Sequence, residues 1–182
     1  MTHGDPKNPK KNPHPKERYE ITFTIRDAPG PFDSITASAA YEISNKDCVP
    51  TQPISGANPS PSPIISFDVT HVNTNTYRGY VYLDLLQDED YYGLGVCHWA
   101  LTSAGPDIKV RNVNFGGSLD SGEIAGQKTV IWYQWKPYYN NPPASASSSS
   151  PLAAGVPLSV YEQSKDKSKY FSVELTARKD SP

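Results

Sequence analysis

Apolar and polar residues alternate regularly in two segments, one near each end of the chain. Residues 18–26 read RYEITFTIR, and residues 169–178 read KYFSVELTAR, with an apolar side chain at every second position. Successive side chains of a β-strand point to opposite faces of the sheet, so this pattern predicts two strands that are each buried on one face.

Weaker versions of the same pattern predict further strands between these two. They cover residues 35–44, 64–72, 76–86, 93–103, 106–115, 128–139 and, as a short strand, 158–163. Gly and Pro clusters mark the connections, including a hairpin link at 103–106. Residues 116–127 read as a loop with room for one short helical turn.

Eight or nine short strands separated by turn signals are typical of an all-β protein. We expect an antiparallel, immunoglobulin-like β-sandwich with long loops rich in proline and serine. The immunoglobulin motif places a tyrosine two residues before its second cysteine, whereas Gly95 stands there. This departure keeps an antiparallel barrel open as the alternative.

Composition divides the chain into a tether and one domain. Residues 1–17 are rich in proline and lysine, cannot bury apolar surface, and are expected to be a disordered tether. Residues 18–179 would form a single sandwich domain. Within it, residues 140–157 are of low complexity and are expected to form a mobile loop.

Charge and hydropathy exclude two classes of partner. The 182 residues carry a net charge of −2, so no basic excess points to nucleic acid. No apolar run approaches the ~18 residues that a membrane span requires. Contact with a membrane is therefore expected only through a lipid anchor outside this sequence.

Cys48 and Cys97 are the two cysteines of the chain. In an oxidising compartment they can form a disulfide, and in a reducing one they would be two separate buried thiols. An even pair in an all-β sequence favours the disulfide.

The segment QDEDYY, residues 87–92, concentrates candidate chemistry. Asp88, Glu89 and Asp90 offer oxygen ligands for calcium, although consecutive positions seldom converge on one ion. Tyr91 and Tyr92 follow them in what we expect to be a loop at the end of the sandwich, where binding residues tend to lie.

An enzymatic role finds little support in the sequence. Cys97 and His98 are neighbours on a predicted strand, so their side chains point to opposite faces and cannot form a nucleophile–base pair. Glycoside hydrolysis needs two carboxylates that face one cleft, and no spacing in the sequence identifies such a pair. We therefore expect no catalytic residues and no cofactor.

Aromatic side chains crowd residues 130–139, VIWYQWKPYY. Trp132, Trp135, Tyr138 and Tyr139 lie here, on both faces of the predicted strand. Either the strand is central and covered by a loop such as 140–157, or one face binds a partner, since tryptophan and tyrosine dominate binding hot spots. A platform for sugar rings would use the same residues.

Three stretches together resemble a known family: RDAPGPFDSITASAAYEI (26–43), NKDCVPTQPISG (45–56) and YRGYVYLDLLQDEDYYGLGVCHWAL (77–101). The resemblance is to small exported, often lipid-anchored proteins of Gram-negative bacteria, the immunity proteins of antibacterial type VI secretion toxins, particularly phospholipase effectors.

The resemblance implies a periplasmic, lipid-anchored protein that binds a cognate secreted toxin and covers its active site. The candidate contacts are the acidic segment 88–92 and the aromatic residues of 132–139. The alternative is an envelope structural or adhesion module that binds a glycan or a surface partner.

Overall fold

A computed structural model describes residues 3–181 of the protein. Two β-sheets pack face to face and enclose a common apolar core. The prediction of an all-β, antiparallel-rich sandwich is confirmed.

Residues 3–181 form twelve strands: β1 Arg18–Arg26, β2 Ser34–Ile43, β3 Ile64–Phe67, β4 Val69–Asn73, β5 Thr76–Tyr82, β6 Trp99–Val110, β7 Val113–Asn114, β8 Leu119–Asp120, β9 Thr129–Trp135, β10 Leu152–Ala153, β11 Gly155–Val156 and β12 Tyr170–Lys179. Three short α-helices accompany them: α1 Ser121–Ala125, α2 Pro137–Asn140 and α3 Leu158–Glu162.

The first sheet has the order β11-β9-β12-β1-β5-β4. Its centre is the antiparallel pair β1–β12, which keeps an unbroken register from Tyr19 opposite Lys179 to Arg26 opposite Ser172. The odd-numbered residues of both strands are buried from Tyr19 to Ile25 and from Phe171 to Ala177. The alternation in the sequence therefore marks the core face correctly.

The second sheet has the order β10-β7-β6-β2-β3, with β8 also paired to β6. Its inner face contributes small and aromatic residues, such as Ala39 and Tyr41. The Tyr41 hydroxyl donates to the Tyr82 carbonyl of the first sheet at 2.7 Å. Burial of this phenol, with a contribution from the charge of Asp84, raises the pKa of Tyr41. This bond ties the two sheets together across the core.

Two chain segments cross from one sheet to the other. Residues 64–73 supply β3 to the second sheet and β4 to the first, with Asp68 between them. Residues 152–156 do the same through β10 and β11 on either side of the buried Ala154. Part of the segment 140–157 is therefore strand, where the sequence suggested only a loop.

The predicted hairpin link at 103–106 is wrong, because β6 runs unbroken from Trp99 to Val110. Pro106 is tolerated in it for a geometric reason. The Ile108 N–H donates to the Asn114 side chain, on the side of β6 away from β2. Pro106 lies two residues earlier and faces the same side, so its missing N–H removes no ladder bond.

The strand predicted at 158–163 is wrong, and the one predicted at 93–103 holds only from Trp99 onward. Residues 158–162 form helix α3 after Pro157, which occupies the N-cap position. Residues 93–98 are not a strand, because Gly93 and Gly95 have φ angles of 76° and 111°, which turn the chain. The expected helical turn within 116–127 is confirmed as α1, which begins with a capping box between Asp120 and Glu123.

The segment expected to be a tether has contacts with the domain. Lys11 pairs with Leu86 in an isolated β-bridge, and the Asp84 carboxylate accepts the N–H groups of Lys16 and Glu17. Residues 11–17 therefore lie along residues 84–86 in the structure. Between residues 3 and 181, no helix has both the length and the apolar character to cross a membrane.

The predicted disulfide between Cys48 and Cys97 is confirmed. Both residues are buried, Cys48 five residues after the end of β2 and Cys97 two residues before the start of β6. Beside them, the Asn45 side chain accepts the His98 N–H at 2.7 Å and donates to the Val96 carbonyl at 2.8 Å. The irregular segment 83–98 is thereby fixed to the end of β2.

Replacing both Cys48 and Cys97 with alanine should destabilise the domain. The disulfide spans a sequence separation of 49, and a loop of that size corresponds to about 4 kcal/mol in the chain-entropy model. Urea unfolding of the variant and the oxidised wild type would measure the difference. A loss below about 1 kcal/mol would mean that the hydrogen bonds of Asn45 hold the segment without the disulfide.

Candidate protein-binding site

The acidic segment is held by its own hydrogen bonds, beginning with Asp88. One oxygen of this carboxylate lies 2.6 Å from Nδ1 of His98, and the other accepts the Trp99 N–H at 2.9 Å. Both carboxylate oxygens therefore have protein partners, although the side chain is 44 % exposed. Asp88 connects the segment to the start of β6.

The next two acidic residues, Glu89 and Asp90, also contact other parts of the protein. Asp90 accepts the Gly93 N–H at 2.6 Å, which closes a tight turn. Glu89 lies partly buried beside Gly4, where an added Cβ would come within 2.8 Å of its carboxyl group. The N-terminal segment therefore covers part of this loop.

Tyr91 belongs to the core, and Tyr92 packs partly buried against it. The Tyr91 hydroxyl donates to the Gln87 carbonyl at 2.7 Å and accepts the Trp99 indole N–H at 3.2 Å. Burial raises the pKa of Tyr91. Only 4 % of its surface is exposed, so it can offer little contact to a partner.

The three carboxylates do not converge on a point that could hold calcium. Each side chain has separate surroundings, and residues 3–181 contain no group of three or more His, Cys, Asp or Glu side chains arranged around a metal ion.

His98 and Asp88 form a hydrogen-bonded pair of side chains, and among residues 3–181 no hydroxyl or thiol forms a hydrogen bond with the imidazole. The Ser44 hydroxyl donates to the His98 backbone carbonyl at 3.1 Å. Within the part of the chain that the structure describes, the Asp88 carboxylate is the imidazole's one hydrogen-bond partner. The arrangement orients His98 and anchors the loop.

The aromatic residues of β9 divide between the two faces of the strand. Gln134 is fully buried, and Trp132 faces the same side, where its indole N–H donates to the Ser118 carbonyl at 2.9 Å. Tyr133 and Trp135 point to the outer face of the first sheet. Trp132 is therefore mainly structural, and Trp135 is the surface residue of the pair.

An aromatic cluster covers the outer face at this corner. Tyr161 of α3 stacks on Tyr133, with ring centres 3.7 Å apart and planes within 5°. Tyr170 meets Tyr161 edge-on at 5.4 Å and Trp135 at 5.0 Å. Burial raises the pKa of Tyr133, and the neighbouring Tyr161 adds to this effect.

Two lysines border this cluster. The Lys169 ammonium lies 5.9 Å from the centre of the Trp135 ring, and that of Lys167 lies 5.7 Å from the centre of the Tyr161 ring. These distances are within the range of cation–π attraction. The cluster therefore has an apolar centre with a positive border.

A surface pocket of about 310 Å³ opens beside the cluster. We call it the aromatic pocket; its lining comprises Trp135, Tyr138, Ala153, Ala154, Val156 and Tyr170. Trp135 and Tyr138 were predicted from the sequence as binding residues. Tyr170 was not, although its alternation with the buried Phe171 assigns it to the outer face. Tyr161 gave no signal, because its segment was predicted to be a strand.

Tyr139 has a different role from Tyr138. Its hydroxyl donates to the Pro31 carbonyl, and its ring lies against Phe32 and Phe115. The Arg111 guanidinium donates to the Tyr139 carbonyl. Tyr139 therefore closes one end of the sandwich core.

The predicted binding residues thus fall into two separate regions. The acidic segment lies at the end where β1 starts, because Asp88 lines a surface pocket together with Glu17 and Leu83. The aromatic pocket contains Tyr170, at the opposite end of the pair β1–β12. Strand β12 has ten residues, and at about 3.3 Å per residue it spans about 30 Å. A small contact cannot include both regions.

Comparison with known proteins identifies no relative: no family model, no curated protein and no solved structure matches the chain.

Replacing Asp88 with alanine should lower stability by about 1–2 kcal/mol, because the Trp99 N–H and His98 lose a charged acceptor. Asp88→Asn should cost less, since its side-chain oxygen still accepts the Trp99 N–H. Asp47→Ala, at an exposed aspartate without a side-chain hydrogen bond among the described residues, is the matched control. Urea midpoints would rank the three variants, and equal values for Asp88→Ala and Asp47→Ala would contradict the anchoring role.

Proposed function

We propose that the protein is a binding module that acts by covering the active site of another protein, and that this partner is a secreted antibacterial toxin. The observation that supports this best is the aromatic pocket beside the cluster of Tyr133, Trp135, Tyr161 and Tyr170. Surface tyrosines and tryptophans of this kind dominate the energetics of protein interfaces.

The form of the pocket suits an anchor residue from the partner. A volume of about 310 Å³ accepts one large apolar side chain rather than an extended ligand. The surrounding rings are held by mutual stacking, so little side-chain entropy is lost on binding. Lys167 and Lys169 at the border favour a partner whose anchor is flanked by acidic groups.

The acidic segment 88–92 is a weaker candidate for the central contact. Asp88 and Asp90 already accept hydrogen bonds from the protein, and Tyr91 is buried. Contacts made by exposed charged groups also contribute mainly to association rate. We assign this segment at most to the periphery of a complex.

The disulfide is consistent with an exported protein, because such bonds persist mainly in oxidising compartments. Together with the sequence resemblance to type VI immunity proteins, it supports the proposal that the protein is periplasmic and, in its native form, lipid-anchored. The toxin it neutralises would then be of the lipase or phospholipase type, blocked when the module covers the active site.

Tyr170→Ala and Trp135→Ala should each weaken binding to the toxin encoded beside this protein's gene. Truncation of a central aromatic typically costs about 2–4 kcal/mol, which is roughly a 30- to 1,000-fold rise in Kd. Isothermal titration calorimetry would measure Kd, and a parallel lipase assay would measure inhibition.

The matched control for this experiment is Tyr80→Ala. Tyr80 also faces outward on the first sheet, but at the Arg18 end and 41 % exposed. It should bind like the wild type. Toxin binding that survives both pocket variants unchanged would remove the aromatic pocket from the account, and absence of binding by the wild type would remove the toxin.

A further inference from the structure

A second pocket, of about 330 Å³, lies on the outer side of the second sheet. We call it the polar pocket. Ser38 and Ala40 of β2, Ser103 and Asp107 of β6, and Asn114 of β7 line it from this sheet, and Trp132 of β9 lines it from the first sheet. The aromatic pocket shares only Ala153 with it.

The polar groups of this pocket are held in place by one another. One carboxylate oxygen of Asp107 accepts the Ser38 hydroxyl at 2.9 Å, and the other accepts the Asn114 amide at 3.0 Å. The Asn114 oxygen in turn accepts the Ile108 N–H at 3.0 Å. The Asp107 carboxylate is therefore oriented before any ligand arrives.

This network leaves hydrogen-bonding capacity unused. An ionised carboxylate has about four lone-pair sites, so Asp107 retains about two acceptor sites after binding Ser38 and Asn114. Ser103 and Ser118 also line the pocket. A ligand that both donates and accepts hydrogen bonds would satisfy these groups.

Two glycines allow the backbone segments that form this wall of the pocket to pack directly against each other. A Cβ on Gly105 would come within 2.1 Å of the Gly117 carbonyl oxygen, and one on Gly117 would meet the Trp132 ring at 2.3 Å. The segment 116–118 therefore lies directly against β6 and Trp132. Residues 116–118 and the Trp132 ring therefore form one closely packed wall of the pocket.

The lining excludes most other classes of ligand. It contains no lysine, arginine or histidine, so an anion would meet the Asp107 carboxylate without compensation. A cation would meet a single carboxylate already bound to two donors. A purely apolar ligand would bury that carboxylate without replacing the hydrogen bonds that water gives it.

We propose that the polar pocket binds one neutral sugar ring, with Asp107 accepting from its hydroxyls and Trp132 contacting its C–H groups. The volume is at the lower end of the range for small-molecule sites, about 300–1,000 Å³, which suits one ring better than a chain. This site differs from the proposed toxin contact: the two pockets share Ala153 alone, and neither Trp135 nor Tyr170 lines the polar pocket.

The test titrates the isotope-labelled protein separately with methyl α-D-glucopyranoside, methyl α-D-galactopyranoside and N-acetyl-D-glucosamine, and follows amide and indole NMR signals. At least one sugar should produce saturable shifts at Ser103, Asp107, Asn114 and the Trp132 indole. The expected Kd is about 1–10 mM, ordinary for one small ring with few polar contacts.

Ala40→Trp fills the polar pocket and should raise this Kd at least about tenfold. Ala100→Trp, also on the outer side of the second sheet but outside the pocket, is the matched control and should bind like the wild type. Asp107→Asn keeps the shape of the side chain, removes its negative charge, and should also weaken binding. Thermal melts verify that each variant is folded.

Two outcomes would overturn the proposal. One is the absence of saturable shifts at these residues with all three sugars. The other is a Kd for a folded Ala40→Trp variant equal to that of the wild type. Neither outcome bears on the toxin, because Tyr170 and Trp135 are unchanged in all these variants.

Discussion

The antiparallel pair β1–β12 is the constraint on which the rest of the first sheet depends. It joins the start and the end of the domain, and its odd-numbered residues supply much of the core. Because side chains alternate along a strand, burying Phe171 and Val173 places Tyr170 on the outer face. The register of β12 with β9 sets Tyr170 opposite Trp135. The aromatic pocket is thus a consequence of how the core is filled.

Those parts of the fold that depend on local alternation are predictable from the sequence. The strands 18–26 and 170–179 coincide with the predicted ones to within a residue, since each buries one face along its whole length. The disulfide is also predictable, because an all-β sequence with two cysteines favours pairing them. Trp135 and Tyr138 could be proposed as surface binding residues because the strand that precedes them has more aromatics than one core face needs.

The remainder depends on contacts between distant segments, which no local pattern encodes. Pro106 reads as a turn but lies in a strand, because its missing N–H faces away from β2. Tyr161 reads as strand but stacks from helix α3 onto Tyr133. The acidic segment reads as a free binding loop, yet Asp88 is engaged by His98 and Trp99. Asp107 and Asn114, which form the second pocket, gave no signal in the sequence.

We propose the aromatic pocket as the contact surface for a toxin. Hydrogen–deuterium exchange of the protein alone and in complex with the toxin tests it most directly, since exchange reports protection by segment. The account predicts slower exchange in residues 136–138, which include the lining residue Tyr138, and in residues 157–169, which include Tyr161 of the neighbouring aromatic cluster. It predicts little change in residues 87–98. Protection confined to 87–98, with none around the pocket, would contradict it.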